Sequence, residues 1–290
     1  MRFSSIYEEN EFALSYELFP PKTDKGMTSL ETNLETLLKY SPHFVTCTYG
    51  AGGSDQSRTL ETLATVQKMT DVPLASHLTC VNATPDDLST YLNQAKEQGV
   101  SNIVAIRGDA PEGESEFQVT EGGFRYGNEL TEFIHQEFPE LGIAVGGYPE
   151  KHPEARNIFH DVDNLKRKVD AGADIVITQL FYKNDSFISF LDSCAASGIT
   201  IPIVPGILPI TNYKQVQRIS AMCGAKLPVR LANALEHCQD DPEEQLKVGI
   251  DHAVKQAADL MERGVPGIHF YVLNQCKATA AILDQLKLSH

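Results

Sequence analysis

The chain has 290 residues, and its 39 acidic against 24 basic side chains give a net charge of −15. That balance excludes a general binder of phosphate backbones, which needs a basic face. Hydrophobic residues make up 42% and charged residues 22%, the proportions of a soluble globular enzyme. No apolar run approaches the ~20 residues that span a bilayer, and the acidic first twelve residues lack a signal-peptide core.

The six cysteines, Cys47, Cys80, Cys194, Cys223, Cys238 and Cys276, form no C-x-x-C pair. Several lie inside strand-like or helix-like runs, where cysteine acts as a small buried hydrophobe. This usage implies a reducing, cytoplasmic compartment. His77 and Cys80 have a metal-like spacing, but residues three apart on a strand point to opposite faces, so no metal site is expected.

In chain order, residues 12–19 (FALSYELF) are the first strand candidate. Alternation places Ala13, Ser15 and Glu17 on one face and Phe12, Leu14, Tyr16 and Leu18 on the other, before Pro20 and Pro21 stop it. A carboxylate on the small-residue face of a buried strand is costly without a function or a partner. Leu30, Leu34, Leu37 and Leu38 mark a helix. Residues 43–48 (HFVTCT) form the second strand, followed by a glycine-rich turn at 49–54 that could cradle a phosphate but lacks a P-loop lysine. Leu60, Leu63, Val66 and Met69 mark the next helix. Residues 73–79 (PLASHLT) form the third strand, and Thr84-Pro85-Asp86-Asp87 starts a capped helix that Gly99 ends.

The fourth strand, residues 102–106 (NIVAI), runs straight into Arg107, Gly108 and Asp109. An apolar run of this kind reads as a strand buried on both faces of a parallel sheet, with its chemistry at the carboxyl end. The alternative for Arg107 and Asp109 is a pair that merely closes a loop. A long loop follows at 110–126, of a size that is often functional. Residues 143–147 are the fifth strand, running into Tyr148-Pro149-Glu150-Lys151-His152. A helix over 161–171 carries Lys166, Arg167 and Lys168. Residues 174–178 form the sixth strand, ending in Gln179, and residues 201–204 the seventh. Two to three helices follow, one of them capped by Asp241-Pro242. Residues 267–272 (GIHFYV) form the eighth strand, and residues 278–286 a last helix.

Eight strands alternating with helices predict an α/β chain folded as a (β/α)8 TIM barrel, a single domain over residues 1–290. A doubly wound open sheet is the alternative. A barrel brings Glu17, Thr48, His77, Arg107, Asp109, Tyr148, His152, Gln179 and Asn274 to one rim. That polar, mixed-charge rim suits a bound planar cofactor better than covalent catalysis by a side chain.

Nine segments carry a resemblance: YELFPPK, TYGAGGS, HLTC, IVAIRGD, GGYPEKHPEA, NLKRKVDAGAD, ITQLF, PGILPI and HFYVLN. Their order and spacing over nearly the whole chain resemble those of 5,10-methylenetetrahydrofolate reductases. The resemblance implies a FAD-containing barrel that reduces 5,10-methylenetetrahydrofolate to 5-methyltetrahydrofolate with NADH or NADPH, in methionine synthesis. Glu17 then matches the catalytic acid that protonates folate N10 as the methylene bridge opens. Such an acid needs a raised pKa near neutral pH. Asp109 matches the aspartate beside the flavin N1/C2 edge. Thr48, His77, Arg107, Gly108, Asp109, Tyr126, Tyr148, His152, Asp161, Asn164, Arg167 and Lys168 match cofactor-binding positions, Arg167 and Lys168 being the natural pyrophosphate partners. Glu17, Gln179, Tyr213 and Gln275 match substrate contacts. Gln275 departs from the family, which often has arginine after Leu273-Asn274, so recognition of the folate tail or nucleotide is altered there. The expected partners are small molecules, with neither nucleic acid nor membrane, and a homo-oligomer is expected. Two other readings compete: a flavin barrel acting on an imino acid, as proline dehydrogenases do, and a non-catalytic folate- or flavin-binding module.

Overall fold

The computed structural model describes residues 1–49, 56–109 and 117–288. In chain order its elements are α1 (Phe3–Glu9), β1 (Ala13–Leu18), α2 (Asp24–Leu38), β2 (Phe44–Cys47), α3 (Gln56–Met69), β3 (Leu74–Thr79), α4 (Pro85–Glu97) and β4 (Val100–Ile106). They continue with α5 (Gly127–Glu137), β5 (Gly142–Gly147), α6 (Ile158–Asp170), β6 (Ile175–Thr178), α7 (Asn184–Ala196), β7 (Ile203–Val204) and β8 (Gly206–Ile207). The last are α8 (Tyr213–Cys223), α9 (Val229–His237), α10 (Pro242–Glu262), β9 (Gly267–Tyr271) and α11 (Lys277–Gln285).

Every strand pairing is parallel, in the order β7-β6-β5-β4-β3-β2-β1-β9-β8. The two ends of that order, β7 and β8, are neighbours in the chain on either side of Pro205. Proline has no N–H to give a ladder, so it splits the seventh wall strand into a half that pairs with β6 and a half that pairs with β9. The Pro205 carbonyl still accepts from His269 N–H at 3.0 Å. The ring therefore closes as the (β/α)8 barrel that the alternation predicted, and the open doubly wound sheet is set aside. Gly206 sits where a Cβ would come within 2.3 Å of the Thr178 carbonyl, so only glycine lets the broken strand approach β6 this closely.

Two apolar layers follow from strand alternation. The outer face of each strand packs on the helices: Leu14, Tyr16, Leu18, Val45, Cys47, Ile103, Ala105, Ile143, Val145 and Phe270 all join one large core with helical leucines such as Leu34, Leu92 and Leu130. The inner face forms a smaller core of Ala13, Phe44, Ala75, Val104, Ala144 and Ile175 at the strand starts. Phe3 and Ile6 of α1 plug this end, with the Phe3 ring edge-on to Phe44 at 4.9 Å. Fully burying such a side chain stabilises by roughly 1.5–3 kcal/mol. Helix α1 was not foreseen, because a helix of 7 residues is too short to show a period.

Helix starts obey local rules. Thr84 caps α4 as expected and forms a full capping box with Asp87, and Asp241 caps α10 by accepting from Glu243 and Glu244 N–H. The region between the seventh and eighth wall strands holds three helices, α8 to α10, and α8 and α9 pack with the strand ends in a separate apolar cluster. Among the described residues no helix is long and apolar enough to cross a membrane.

Candidate active site

The inner face of β1 rises from Ala13 through Ser15 to Glu17, and its polarity rises with it. Ser15 and His269, paired across β1 and β9, are fully buried and hydrogen bonded at 2.8 Å between Oγ and Nδ1. The His269 ring stacks over Phe44, centroid to centroid 6.0 Å. One level higher, Glu17 Oε2 lies 3.3 Å from His77 Nε2 and 4.0 Å from His269 Nε2. His77 Nε2 also sits 3.4 Å from Thr46 Oγ1.

Charge decides what these contacts are. Burial pushes the Glu17 carboxyl up to about 8 and pulls His77 and His269 each down to about 3. Near neutral pH all three are uncharged, so the Glu17–His77 approach is a contact between neutral groups and not an ion pair. A neutral carboxyl at the carboxyl end of a barrel strand is a proton donor.

The same shift makes a stability prediction. Glu17 binds its proton more tightly folded than unfolded, so its contribution is present at low pH and is lost as pH rises from about 4.5 towards 8. Glu17→Gln should therefore gain on the wild type by roughly 3 kcal/mol between about pH 5 and pH 8. Denaturant titrations of both proteins at the two pH values measure this. A difference that does not change with pH would place an ionised carboxylate at Glu17.

The neighbouring wall is built by the exit of β4. Gly108 has φ +86°, and a Cβ there would meet Val81 Cγ2 at 2.6 Å, so the turn after the strand requires glycine. Arg107 donates two hydrogen bonds to Glu154, at 2.6 and 2.7 Å, and its Nε donates to the Gly108 carbonyl at 3.2 Å. Its guanidinium also lies over the Phe117 ring at 5.2 Å. The simple Arg107–Asp109 closure is thus not the arrangement formed. Asp109 is exposed, and its charge is felt by Tyr148 and Cys223 as well as by Arg107. Glu17 also acts on Cys223 and on Tyr271, so Cys223 lies within electrostatic reach of both carboxyl groups.

The third wall comes from β5 and α6. After β5, Tyr148 and His152 pack edge to face at 4.6 Å. The buried carboxylate of Asp161, in the first turn of α6, accepts from His152 N–H at 2.8 Å and so fixes the loop between them. Lys168 reaches back from the last turn of α6 to donate to the Gly146 carbonyl, with its Nζ 5.9 Å from the Tyr148 ring. Burial lowers Lys168 to about 8, with Asp161 opposing the shift. A cation this poorly solvated gains from a bound anion. Asn164 lies one turn before it, beside His160 Nδ1 at 3.4 Å, and the exposed Arg167 approaches Asn164 Oδ1 at 3.5 Å. The donor set fits a phosphate-bearing cofactor with an aromatic part.

Gln179 stands at the end of β6, and its Oε1 accepts from Leu180 N–H at 2.8 Å, which leaves Nε2 to donate elsewhere. Thr48 follows β2, with its carbonyl held by the Thr59 hydroxyl at 3.0 Å. Tyr213 begins α8 and packs in the outer apolar cluster with Tyr182 and Leu208, its N–H bonded to Gln245 at 2.7 Å. Gln275 is exposed and lines a small cleft with Gln215, Thr211 and Tyr271. Tyr126 is 51% exposed at the start of α5, where Glu129 accepts its N–H at 3.0 Å. The glycine-rich turn at 50–54 lies outside the described residues, as does 110–116 of the long loop. No group of three or more metal-ligating side chains occurs among the described residues.

Four contributors escaped the sequence reading: Ser15 as a partner, His269, Thr46 and Glu154. Alternation along GIHFYV could have found His269, since it puts His269 and Tyr271 on the face that β1 fills with Ser15 and Glu17. Glu154 had no such signal, because its partner is 47 residues away.

The family model for methylenetetrahydrofolate reductase matches residues 2–287. The chain belongs to the methylenetetrahydrofolate reductase family. It is 38% identical over 297 residues to methylenetetrahydrofolate reductase (NADH) 1 of Arabidopsis thaliana, covering 99% of this chain and 50% of that one. It is 36% identical over 278 residues to 5,10-methylenetetrahydrofolate reductase of Escherichia coli, covering 96% of this chain and 92% of that one. The chain thus spans about half the length of the plant relatives and most of the bacterial one. Among solved structures, an uncharacterised Clostridium thermocellum protein that binds two copies of 5-methyl-5,6,7,8-tetrahydrofolic acid shares the fold. Its TM-score is 0.69 at 16% identity, with 99% of each chain covered. In this member of the methylenetetrahydrofolate reductase family, Glu17, His77, Arg107, Tyr148, His152, Asp161, Lys168 and Gln179 are gathered at the carboxyl ends of the strands. Tyr126, Tyr213 and Gln275 stand further out.

Proposed function

We propose that the chain reduces 5,10-methylenetetrahydrofolate to 5-methyltetrahydrofolate in a cytoplasmic setting, with FAD bound at the rim and NADH or NADPH as electron donor. The observation that carries this reading is Glu17, a buried carboxyl raised to about 8 at the end of a barrel strand. Membership of the family and free thiols at all six cysteines support it. Bound FAD supplies the relay of a hydride from nicotinamide to folate.

The chain's own residues do the rest. Glu17 holds a proton until it is given to folate N10 as the methylene bridge opens, and the neutral His77 and His269 impose no charge that would take it early. Gln179 presents an amide donor to the pterin. Lys168 and Arg167 neutralise the pyrophosphate, Asn164 on the same helix can donate to it, and Asp161 fixes His152, against which Tyr148 packs. Arg107 is oriented by Glu154, His77 stands on the adjoining strand β3, and Thr48 lies just past the end of β2. Product analysis of 5,10-methylenetetrahydrofolate incubated with the holoprotein and each nucleotide tests the proposal. Formation of 5-methyltetrahydrofolate with at least one donor is expected, and oxidation of proline instead would overturn it.

Asp109 places an anion within reach of Tyr148 and Arg107 at the rim, which disfavours electron uptake by bound FAD. Asp109→Asn should raise the midpoint potential of the bound cofactor, as read by potentiometric titration. An unchanged or lower potential would remove Asp109 from the cofactor's field.

A further inference from the structure

Beyond Glu17 the first strand runs out of backbone that can be paired. Pro20 and Pro21 have no N–H, so Phe19 carries the last donor of this strand end. On the β2 side the ladder continues past Glu17, with Thr48 N–H donating to the Leu18 carbonyl at 2.9 Å. On the β9 side the paired register ends at Glu17 and Tyr271. There the chain turns away through Leu273 and Asn274, both in the left-handed region with φ 48° and 56°. Leucine resists that conformation and asparagine tolerates it. A backbone kept in so sparse a region marks a constraint imposed by the surrounding structure.

What the turn delivers is the Asn274 side chain. Its Oδ1 accepts from Phe19 N–H at 2.8 Å, and its Nδ2 donates to the Phe19 carbonyl at 2.7 Å. One amide thus satisfies both polar groups of Phe19 across 255 residues of sequence. It stands where the next rung of the β1–β9 ladder would be. Without it, the chain beyond Glu17 is held on the β2 side alone.

We infer that Asn274 is a positioning residue that fixes the end of β1, and with it the Glu17 carboxyl, for proton delivery to the bound folate. The inference rests on the proposed function. Displacement of a catalytic group by about 1 Å can cost about 10²-fold in rate. On the proposed function, cofactor reduction by the nicotinamide needs no proton from Glu17.

The test uses the FAD-loaded protein and two variants. Asn274→Gly removes the amide while keeping a residue at ease with positive φ, so the turn is preserved. Asn274→Asp keeps the acceptor for Phe19 N–H and loses the donor. For Asn274→Gly, flavin reduction by the nicotinamide should stay within about two-fold of wild type, and reoxidation by 5,10-methylenetetrahydrofolate should slow by about 10- to 100-fold. Asn274→Asp should fall between. Hydrogen exchange at the Phe19 amide should quicken in the glycine variant and not in the aspartate variant. Equal slowing of both half-reactions would make Asn274 a general structural residue, and wild-type rates in both would remove it from the site. If wild-type flavin itself is not reoxidised by the folate, the proposed function fails in that trace alone, and the inference falls with it.

Discussion

Glu17→Gln should leave flavin bleaching by the nicotinamide near normal and slow reoxidation by 5,10-methylenetetrahydrofolate by about 10²–10⁴-fold, the usual worth of a general acid. The side chain keeps its shape and its place above Ser15 and beside His77 but has no acidic proton. The effect divides between the half-reactions because only the folate step requires a proton at N10. The pH dependence carries the same signature. With Glu17 raised to about 8, the wild-type folate half-reaction should fall as pH rises through about 8, and the variant should lose that limb. Stopped-flow traces of each half-reaction across pH measure both. Equal slowing of the two would make Glu17 a structural carboxyl whose loss disturbs the barrel.

The second large effect is expected at α6. Arg167→Ala with Lys168→Ala removes the two cations nearest the proposed pyrophosphate position. Loss of one charged partner from a desolvated phosphate costs about 1.5–3 kcal/mol, or roughly 10- to 150-fold in affinity. Lys168 should account for most of the loss. It is half-buried with a lowered pKa and bonded to the Gly146 carbonyl, whereas Arg167 is exposed and approaches Asn164 at 3.5 Å. The flavin-to-protein ratio after dialysis is the measurement, made on both single variants and the double. A double variant that retains flavin at the wild-type ratio would place the pyrophosphate elsewhere.

The barrel was legible because its strands obey one rule. Each is an apolar run with an alternating inner face, ended by glycine, proline or a polar cluster, and that rule located all eight wall positions. The break at Pro205 was not legible, because its effect depends on which neighbours the strand joins, and those are β6 on one side and β9 on the other. Helix α1 was missed for lack of length, though its Phe3 and Ile6 close the bottom of the inner core. At the site, Glu17 stood out as a carboxyl on a face of small residues, and burial accounts for its raised pKa. Arg107 and Asp109, two residues apart, left a loop-closing pair as the alternative reading. The fold instead gives Arg107 to Glu154, a pairing created by two different strand exits meeting. His269 and Ser15 were hidden for the opposite reason: each looks ordinary alone, and only the β1–β9 register joins them. Asn274 was placed on the rim as a polar strand end, but its contacts are with the backbone of Phe19.

The most direct test of the account is the absorbance spectrum of the purified protein under anaerobic conditions, followed through sequential additions. The account predicts a bound-flavin spectrum that bleaches when NADH or NADPH is added and returns when 5,10-methylenetetrahydrofolate follows, with 5-methyltetrahydrofolate formed in the same amount. A protein that takes up no flavin, or whose bleached flavin is not restored by the folate, would contradict it.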